Sequence, residues 1–307
     1  MNLIIGSRRS LLAQAQSNLV RQMLLAAWGD MAVQIELIDT RGDLNRRDPL
    51  PQIGGKGLFT AELEEALLRR RIDLAVHSLK DLPVDDSEGL AVVAIPERAG
   101  TEDMLISRRA ARLEALPDRA VVGTSSLRRA AQILALRPDL RIKDIRGNVD
   151  TRVRKLDDPA QGYDAILLAR AGFQRLERTD LDHAHLIPTA QVLPAPGQGA
   201  LGIQGRANDP ETSHYLAALD HAPTRAAVTA ERAFLAGLGG GCSLPVGALG
   251  RVSDGQIELQ ALVARPDGRQ VIRVSGSGSV SAPAALGHQL AQEALAQGAR
   301  ELLVIEA

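Results

Sequence analysis

The sequence predicts an α/β protein with mainly parallel sheets. Three observations carry that expectation. Segments with apolar residues at helical spacing alternate with short, β-branched segments. Two Pro/Gly-rich crossings, near residues 96–100 and 193–202, interrupt the alternation. The 307 residues, 45% of them hydrophobic, suffice for two domains of about 150 residues or three smaller ones.

Taken in order, residues 11–28 carry apolar side chains at helical spacing, and VQIELID (33–39) is short and β-branched, as a strand should be. LFTAELEEALLRRR (58–71) reads as a helix with Leu63 and Leu67 on one face and arginines in its last turn. DLAVHS (73–78) and LAVVAI (90–95) read as strands. The cycle repeats as a strand at 120–123, a helix at 126–136, a strand at 140–145, a helix near 148–156 and a strand at 164–169. A final section, from about residue 218, begins with the helical AAVTAERAFLAGL (226–238). Strands follow at 256–265 and 270–275, then a helix at 284–297 and a last strand at 301–306. SGSGSVSAP (275–283) reads as a surface turn, and no internal repeat is visible.

Composition excludes several classes of function. A single cysteine rules out an internal disulfide, a thiolate-rich zinc site and an iron–sulfur cluster, and it suits a reducing compartment. The first residues, MNLIIGSRRSLLAQAQ, lack the charge-then-apolar order of a secretion signal. No run reaches the ~18 apolar residues of a membrane span. One Trp, two Tyr and three Phe are too few for a base-stacking surface, and a net charge of −1 exerts no global pull on polyanions. The expectation is a soluble, cytoplasmic protein with neither nucleic-acid nor membrane partners.

Charge is unevenly spread. Four of the 36 basic residues are Lys, so arginine dominates. Lineage bias and a set of anion-gripping forks both explain this, and composition does not separate them. Residues 121–155 hold nine basic residues and three acidic ones. Within them Arg128 and Arg129 follow Gly-Thr-Ser-Ser after a strand, where Ser125 or Ser126 would cap the next helix. Thr124, Ser126 and the two arginines make either a carboxylate or phosphate cradle at a positive helix end, or a capped helix with a solvated basic first turn. Arg146-Gly147-Asn148 and Arg152 repeat the arrangement after the next strand.

Other stretches also have a bland alternative. GGKGLF (54–59) lacks P-loop spacing, and the polar stretch from Thr40 to Gly57 has the profile of a lid or of a plain loop. GQGALG (197–202) formally matches a dinucleotide fingerprint, but it follows a Pro-rich turn and no clear helix succeeds it. HSLKDLP (77–83) closes a strand, where open α/β sheets bind ligands. A carboxylate there can steady a developing cation or move a proton. Alone, Lys80 and Asp81 would be a surface pair, and His77 a structural histidine. Cys242 follows Gly239-Gly240-Gly241, which clear its approach; the thiol is either a small buried hydrophobe or a nucleophile open to alkylation.

Together these stretches resemble the porphobilinogen deaminase family, also called hydroxymethylbilane synthases, over nearly the whole chain from Gly6-Ser7-Arg8-Arg9-Ser10 onward. TRGD (40–43), GGKGLF (54–59), HSLKDLP (77–83) and GTSSLRR (123–129) carry the likeness. RGNVDTR (146–152), LARAGFQRL (168–176), PGQGALGIQ (196–204) and GGCSLPVG (240–247) complete it. Any one motif is unspecific; eight in order are highly specific.

The resemblance implies a transferase of tetrapyrrole and haem biosynthesis. Such enzymes join four porphobilinogen molecules head to tail, release ammonia each time and give linear hydroxymethylbilane. It implies a dipyrromethane cofactor on Cys242 through a thioether, a bond that resists the hydrolysis that frees the product. Asp81 matches the family's catalytic group near the pyrrole nitrogens. Lys80, Asp81, Thr124, Ser126, Arg128, Arg129 and Arg146 would hold the cofactor. Arg8, Ser10, Arg146, Arg152 and Arg175 would bind the substrate's acetate and propionate groups. Lys56 and Phe59 would lie in a lid, and no metal is implied.

The implied fold has three α/β domains: residues 1–97 with 197–217, residues 98–196, and residues 218–307 carrying Cys242. The first two would resemble the lobes of periplasmic solute-binding proteins around a cleft, and a monomer is expected. Leu11, Gln52, Ser243 and Leu244 depart from the family pattern; they bear on lid behaviour and substrate affinity rather than on the chemistry. A non-catalytic, two-lobed binding protein for a small carboxylate would also explain the arginines and the crossings. It would not explain Cys242 or Asp81.

Overall fold

The computed structural model describes residues 1–44, 60–178, 182–240 and 244–303. In chain order its elements begin with β1 (Asn2–Arg8), α1 (Leu11–Ala27), β2 (Ala32–Ile38), α2 (Arg41–Leu44), α3 (Ala61–Leu68), β3 (Leu74–Ser78) and β4 (Leu90–Ala94). There follow β5 (Asp103–Ile106), β6 (Val121–Gly123), α4 (Leu127–Leu136), β7 (Arg141–Lys143), α5 (Val149–Asp157), β8 (Ala165–Ala169), α6 (Arg170–Arg175) and β9 (Ala184–Ile187). The chain ends with β10 (Leu201–Arg206), α7 (Pro210–Ala217), α8 (Ala222–Gly237), β11 (Val246–Ser253), β12 (Gln256–Ala264), β13 (Val271–Ser279), α9 (Pro283–Ala296) and α10 (Ala299–Leu303). Two compact units result: Met1–Arg98 with Ala200–Arg225, and Ala99–Gly199 with Ala226–Ala307. No helix among the described residues is long and apolar enough to cross a membrane.

The first unit holds a five-stranded sheet in the order β2-β1-β3-β10-β4. Alternation along β1 sends Leu3 and Ile5 to one face, where they pack with Val20 and Leu24 of α1. Ile4 faces the other way, onto a cluster built from Leu63, Ala66 and Leu67 of α3. Helices on both faces explain why the strands read as nearly continuous apolar runs.

The second unit holds a sheet in the order β7-β6-β8-β5-β9. Ile133 of α4 packs with Leu105, Val122 and Leu167 on one face. Val153 and Leu156 of α5 and Phe173 of α6 pack with Ile106, Ile166 and Leu168 on the other. The same unit contains a three-stranded sheet, β11-β12-β13. Its core joins Phe234 of α8 to Leu286 and Leu290 of α9. Ala131 of α4 and Leu193 meet Leu249, Leu262 and Ala264 of this small sheet, so the two sheets of the unit share an apolar seam.

Several expectations are corrected. The sheets are mixed: β1 pairs in parallel with β2 and β3, and β6 with β7 and β8, but β10 and β5 run antiparallel to both of their neighbours. Both antiparallel strands are entered directly from a crossing, not through a strand–helix–strand unit, which is what would force parallel pairing. The third sheet is wholly antiparallel.

SGSGS is not a turn but the end of β13, paired with β12 as far as Ser279. A Cβ on Gly276 or Gly278 would lie 3.3 Å from Leu290 or Leu286, so these glycines let α9 close on the sheet. Ala299–Leu303 is helical where a last strand was expected, with Ala299 and Leu302 buried three residues apart. The remainder of that segment, 304–306, lies outside the described residues. The Pro/Gly-rich stretch ends in β10, a strand buried along its length. No repeat is visible in the sequence, yet the two five-stranded sheets share one strand order and polarity.

Candidate functional site

In the first unit the parallel strands β1, β2 and β3 end together, at Arg8, Ile38 and Ser78. Ligands bind beyond such carboxyl ends in open α/β sheets. Ser10 then caps α1, its Oγ accepting from Ala13 N at 3.3 Å, which leaves a positive helix end at this edge. After β3 a single 3-10 turn spans Leu79–Asp81. Leu79 is buried, and its N–H donates to Ala200 O at 3.0 Å. This anchor presents Lys80 half-buried and Asp81 exposed. No other described residue donates to, or pairs with, the Asp81 carboxylate.

His77 stands apart from this edge chemistry. It is buried with Nε2 3.1 Å from Gln204 Oε1. Burial pushes the imidazole down to about 4; the Gln204 hydrogen bond opposes that shift and the Arg8 charge reinforces it. The ring is therefore neutral at ordinary pH. Gln204 Nε2 in turn donates to Glu64 Oε1 at 3.1 Å, and Ser87 Oγ donates to Glu64 Oε2 at 2.9 Å. His77 belongs to a satisfied polar chain behind the edge, which is the structural-histidine alternative.

In the second unit β6 and β7 end together, at Gly123 and Lys143, and β8 runs three residues further, to Ala169. Thr124 Oγ1 accepts from Ser126 N at 3.1 Å, and Ser126 Oγ caps α4 by accepting from Arg129 N at 3.4 Å. Ser125 is not the cap; its Oγ donates to Ile145 O at 2.6 Å. Arg128 and Arg129 are 4% and 6% exposed, which excludes the solvated basic turn. Both fold inward onto Asp103, which is 0% exposed on β5. Arg128 Nη1 donates to Asp103 Oδ2 at 2.8 Å, and Arg129 Nη2 donates to Oδ1 at 2.7 Å. Burial alone would raise the pKa of Asp103, but the two guanidinium charges and their hydrogen bonds hold it below the usual carboxylate range.

The sequence reading missed Asp103. The signal available was an acid heading the apolar run DMLI, where a strand would bury it.

Of the other arginines, Arg146 meets a carboxylate, whereas Arg152 and Arg175 meet backbone carbonyls. Asn148 caps α5 through Thr151 N at 2.9 Å. Arg146 Nε donates to Asp144 Oδ2 at 3.0 Å, and Arg152 Nε donates to Gly147 O at 2.7 Å. Arg175 Nη2 donates to Gly199 O at 2.6 Å, so it grips the crossing. Gly199 has φ +86, and a Cβ there would sit 2.6 Å from Ala99 O; this close approach of the two crossings explains one glycine of GQGALG.

Cys242, Lys56 and Phe59 lie outside the described residues, as do Gln52 and Ser243. Before the cysteine, Gly239 and Gly240 take φ +98 and +66, backbone that favours glycine. A polycarboxylate cofactor fits the second edge. Arg128 and Arg129 against Asp103 leave one positive charge in excess. The Nε of each arginine is buried without a hydrogen-bond partner among the described residues. Orphaned buried donors are rare, and an anion satisfies both the charge and the donors.

Comparison with known proteins gives a consistent result. The family description "Porphobilinogen deaminase, dipyromethane cofactor binding domain" matches residues 3–214, and "Porphobilinogen deaminase, C-terminal domain" matches residues 225–296. The chain is 52% identical over 300 residues to the porphobilinogen deaminase of Desulforudis audaxviator (strain MP104C), covering 98% of this chain and 96% of that one. It is 50% identical over 303 residues to that of Roseiflexus sp. (strain RS-1), covering 98% of each. Among solved structures, the methionine binding protein MetQ aligns with a TM-score of 0.45 at 14% identity, over 71% of this chain and 89% of that one.

Proposed function

The chain belongs to the porphobilinogen deaminase family, and on that premise we propose how its own residues divide the work. The activity is the head-to-tail condensation of four porphobilinogen molecules, with release of ammonia, into hydroxymethylbilane. The dipyrromethane cofactor supplies the covalent anchor from which the product chain grows. Cys242 holds it through a thioether.

Asp81 is the catalytic group. Loss of ammonia leaves positive charge on a pyrrole, and an exposed carboxylate in the turn after β3, with no partner among the described residues, stabilises that charge. One well-placed group of this kind contributes about 2.7–4 kcal/mol. Arg128, Arg129, Arg146, Lys80, Thr124 and Ser126 hold the cofactor. Arg8, Ser10, Arg146, Arg152 and Arg175 hold the acetate and propionate groups of substrate. Planar guanidinium forks fix carboxylate orientation better than isolated ammonium groups do.

Three domains are assigned: residues 1–97 with 197–217, residues 98–196, and residues 218–307. Three separate sheets support that division. The protein acts as a cytoplasmic monomer without a nucleic-acid partner.

The observation that carries this reading is the buried Arg128–Asp103–Arg129 cluster with its excess charge and unpaired donors. Intact-mass spectrometry tests it. An adduct of two pyrrole units is expected on the wild-type chain and none on Cys242→Ser. Active wild-type protein without the adduct would overturn the thioether assignment.

A further inference from the structure

The carboxylate that clamps the arginine pair lies outside all eight family motifs. Asp103 is the first residue of β5, in register with Ala169 of β8 and Ile187 of β9. It therefore stands on a strand hydrogen-bonded on both sides, a stiffer support than a loop. Gln198 Nε2 fixes it further, donating to Asp103 Oδ1 at 2.9 Å and to Thr101 O at 2.8 Å.

The arginines are held at second points as well. Arg128 Nη1 donates to Leu193 O at 2.8 Å, and Gln132 Nε2 donates to the same carbonyl at 3.0 Å. Arg129 Nη1 donates to Leu167 O at 3.2 Å. Both forks are locked while the Nε of each has no partner among the described residues. Two buried positive charges side by side repel, and one carboxylate between them removes most of that repulsion. What remains is one charge and a pair of oriented donors.

We propose that Asp103 is the positioning residue of this edge: it orients the Arg128 and Arg129 forks before ligand arrives and sets their capacity at a single incoming carboxylate. The proposal rests on the reading that these arginines hold carboxylates of the cofactor. Asp103 does not touch the ligand. It acts through the arginines, and neutralising one of their two charges leaves the pair matched to one acetate or propionate group.

The test compares Arg129→Gln, Asp103→Asn and the double variant. Each is expressed without porphobilinogen and then incubated with it. Intact mass follows the appearance of the two-pyrrole adduct, and thermal melting reports the fold. Each single change should slow loading by about tenfold or more, the loss expected when a charge-assisted contact is removed. The double variant should load within about twofold of Asp103→Asn, because the second change removes a fork already misplaced.

Multiplying losses would show that Asp103 acts independently of Arg129 and would overturn the proposal. Normal loading of Asp103→Asn beside slow loading of Arg129→Gln would also overturn it, while sparing the carboxylate-binding reading. Normal loading of Arg129→Gln would remove that reading itself, and the proposal with it. Should Asp103→Asn not fold, Asp103→Glu keeps the charge but moves the carboxylate by one methylene. That variant should melt near wild type yet load several-fold more slowly; wild-type loading would sink the positioning role.

Discussion

In the first unit, β1 leads through the Ser10 cap into α1, whose first turn is Leu11-Leu12-Ala13. In the second, β6 leads through the Ser126 cap into α4, which opens Leu127-Arg128-Arg129. The fourth strand of each sheet order runs antiparallel and sends a buried polar side chain inward. From β10 it is Gln204, bonded to a neutral His77; from β5 it is Asp103, bonded to two arginines. After the third strand, β3 exposes Asp81, whereas β8 leads to Arg170, paired with Glu102 at 3.1 Å. One scaffold thus carries an exposed acid beside a buried neutral histidine in one unit, and a buried acid clamped by two arginines in the other. The topology fixes where side chains emerge, and a few substitutions decide what chemistry they do.

The sharpest break of this comparison is in stability. Asp103→Asn should destabilise the protein by about 3–5 kcal/mol, since it leaves two buried guanidinium groups without their carboxylate. Arg129→Leu should cost less, because Arg128 still neutralises Asp103. Urea unfolding measures both. Equal losses would mean the cluster works as packing and not as charge. For the first unit the corresponding change is Asp81→Asn. It should lower turnover by about 10²–10³-fold and leave the unfolding midpoint within ~0.5 kcal/mol of wild type, as for other exposed positions. Full activity in that variant would remove Asp81 from the mechanism.

Acid separates the units next. The folded pKa of His77, about 4, lies below its ordinary 6.5, so the unfolded chain takes up the proton first as pH falls. Stability should therefore decline between those two values, by up to about 3 kcal/mol in all. Asp103 behaves differently. Its folded pKa is depressed from 3.8, so its contribution persists above that value and is lost only at lower pH. Urea midpoints from neutral pH down to pH 4 should slope less in His77→Gln than in wild type. Parallel slopes would show that His77 is not the titrating group.

Much of this was legible in the sequence. Elements whose period is local, such as α1, α4, β3 and β8, were placed within two residues at each end. Polarity was not, because β5 and β10 find their partners across a crossing, and no local pattern encodes that. The glycines of β13 mimicked a turn because their role is to admit α9, a contact made elsewhere in the chain. At the site, motif order identified Arg128 and Arg129 but not that they point inward. That depends on Asp103, twenty-five residues before Arg128 on a strand the sequence reading did not find.

The smallest test uses the two caps, which are equivalent in topology but assigned to different ligands. The Ala13 N to Ser10 Oγ and Arg129 N to Ser126 Oγ distances, 3.3 and 3.4 Å, are both long for N–H···O contacts. Each Ser→Ala change should therefore sit near the low end of capping losses, about 0.5–1 kcal/mol. Asn caps helices as well as Ser does, so Ser10→Asn and Ser126→Asn should restore stability. Asn also brings a larger amide where a carboxylate is to be received. If the hydroxyls serve ligand as well as helix, Ser10→Asn should raise KM for porphobilinogen, and Ser126→Asn should slow cofactor loading instead. Restored stability with unchanged KM and loading would reduce both serines to caps, leaving Asp81 and the arginines as the only difference between the two edges that matters for function.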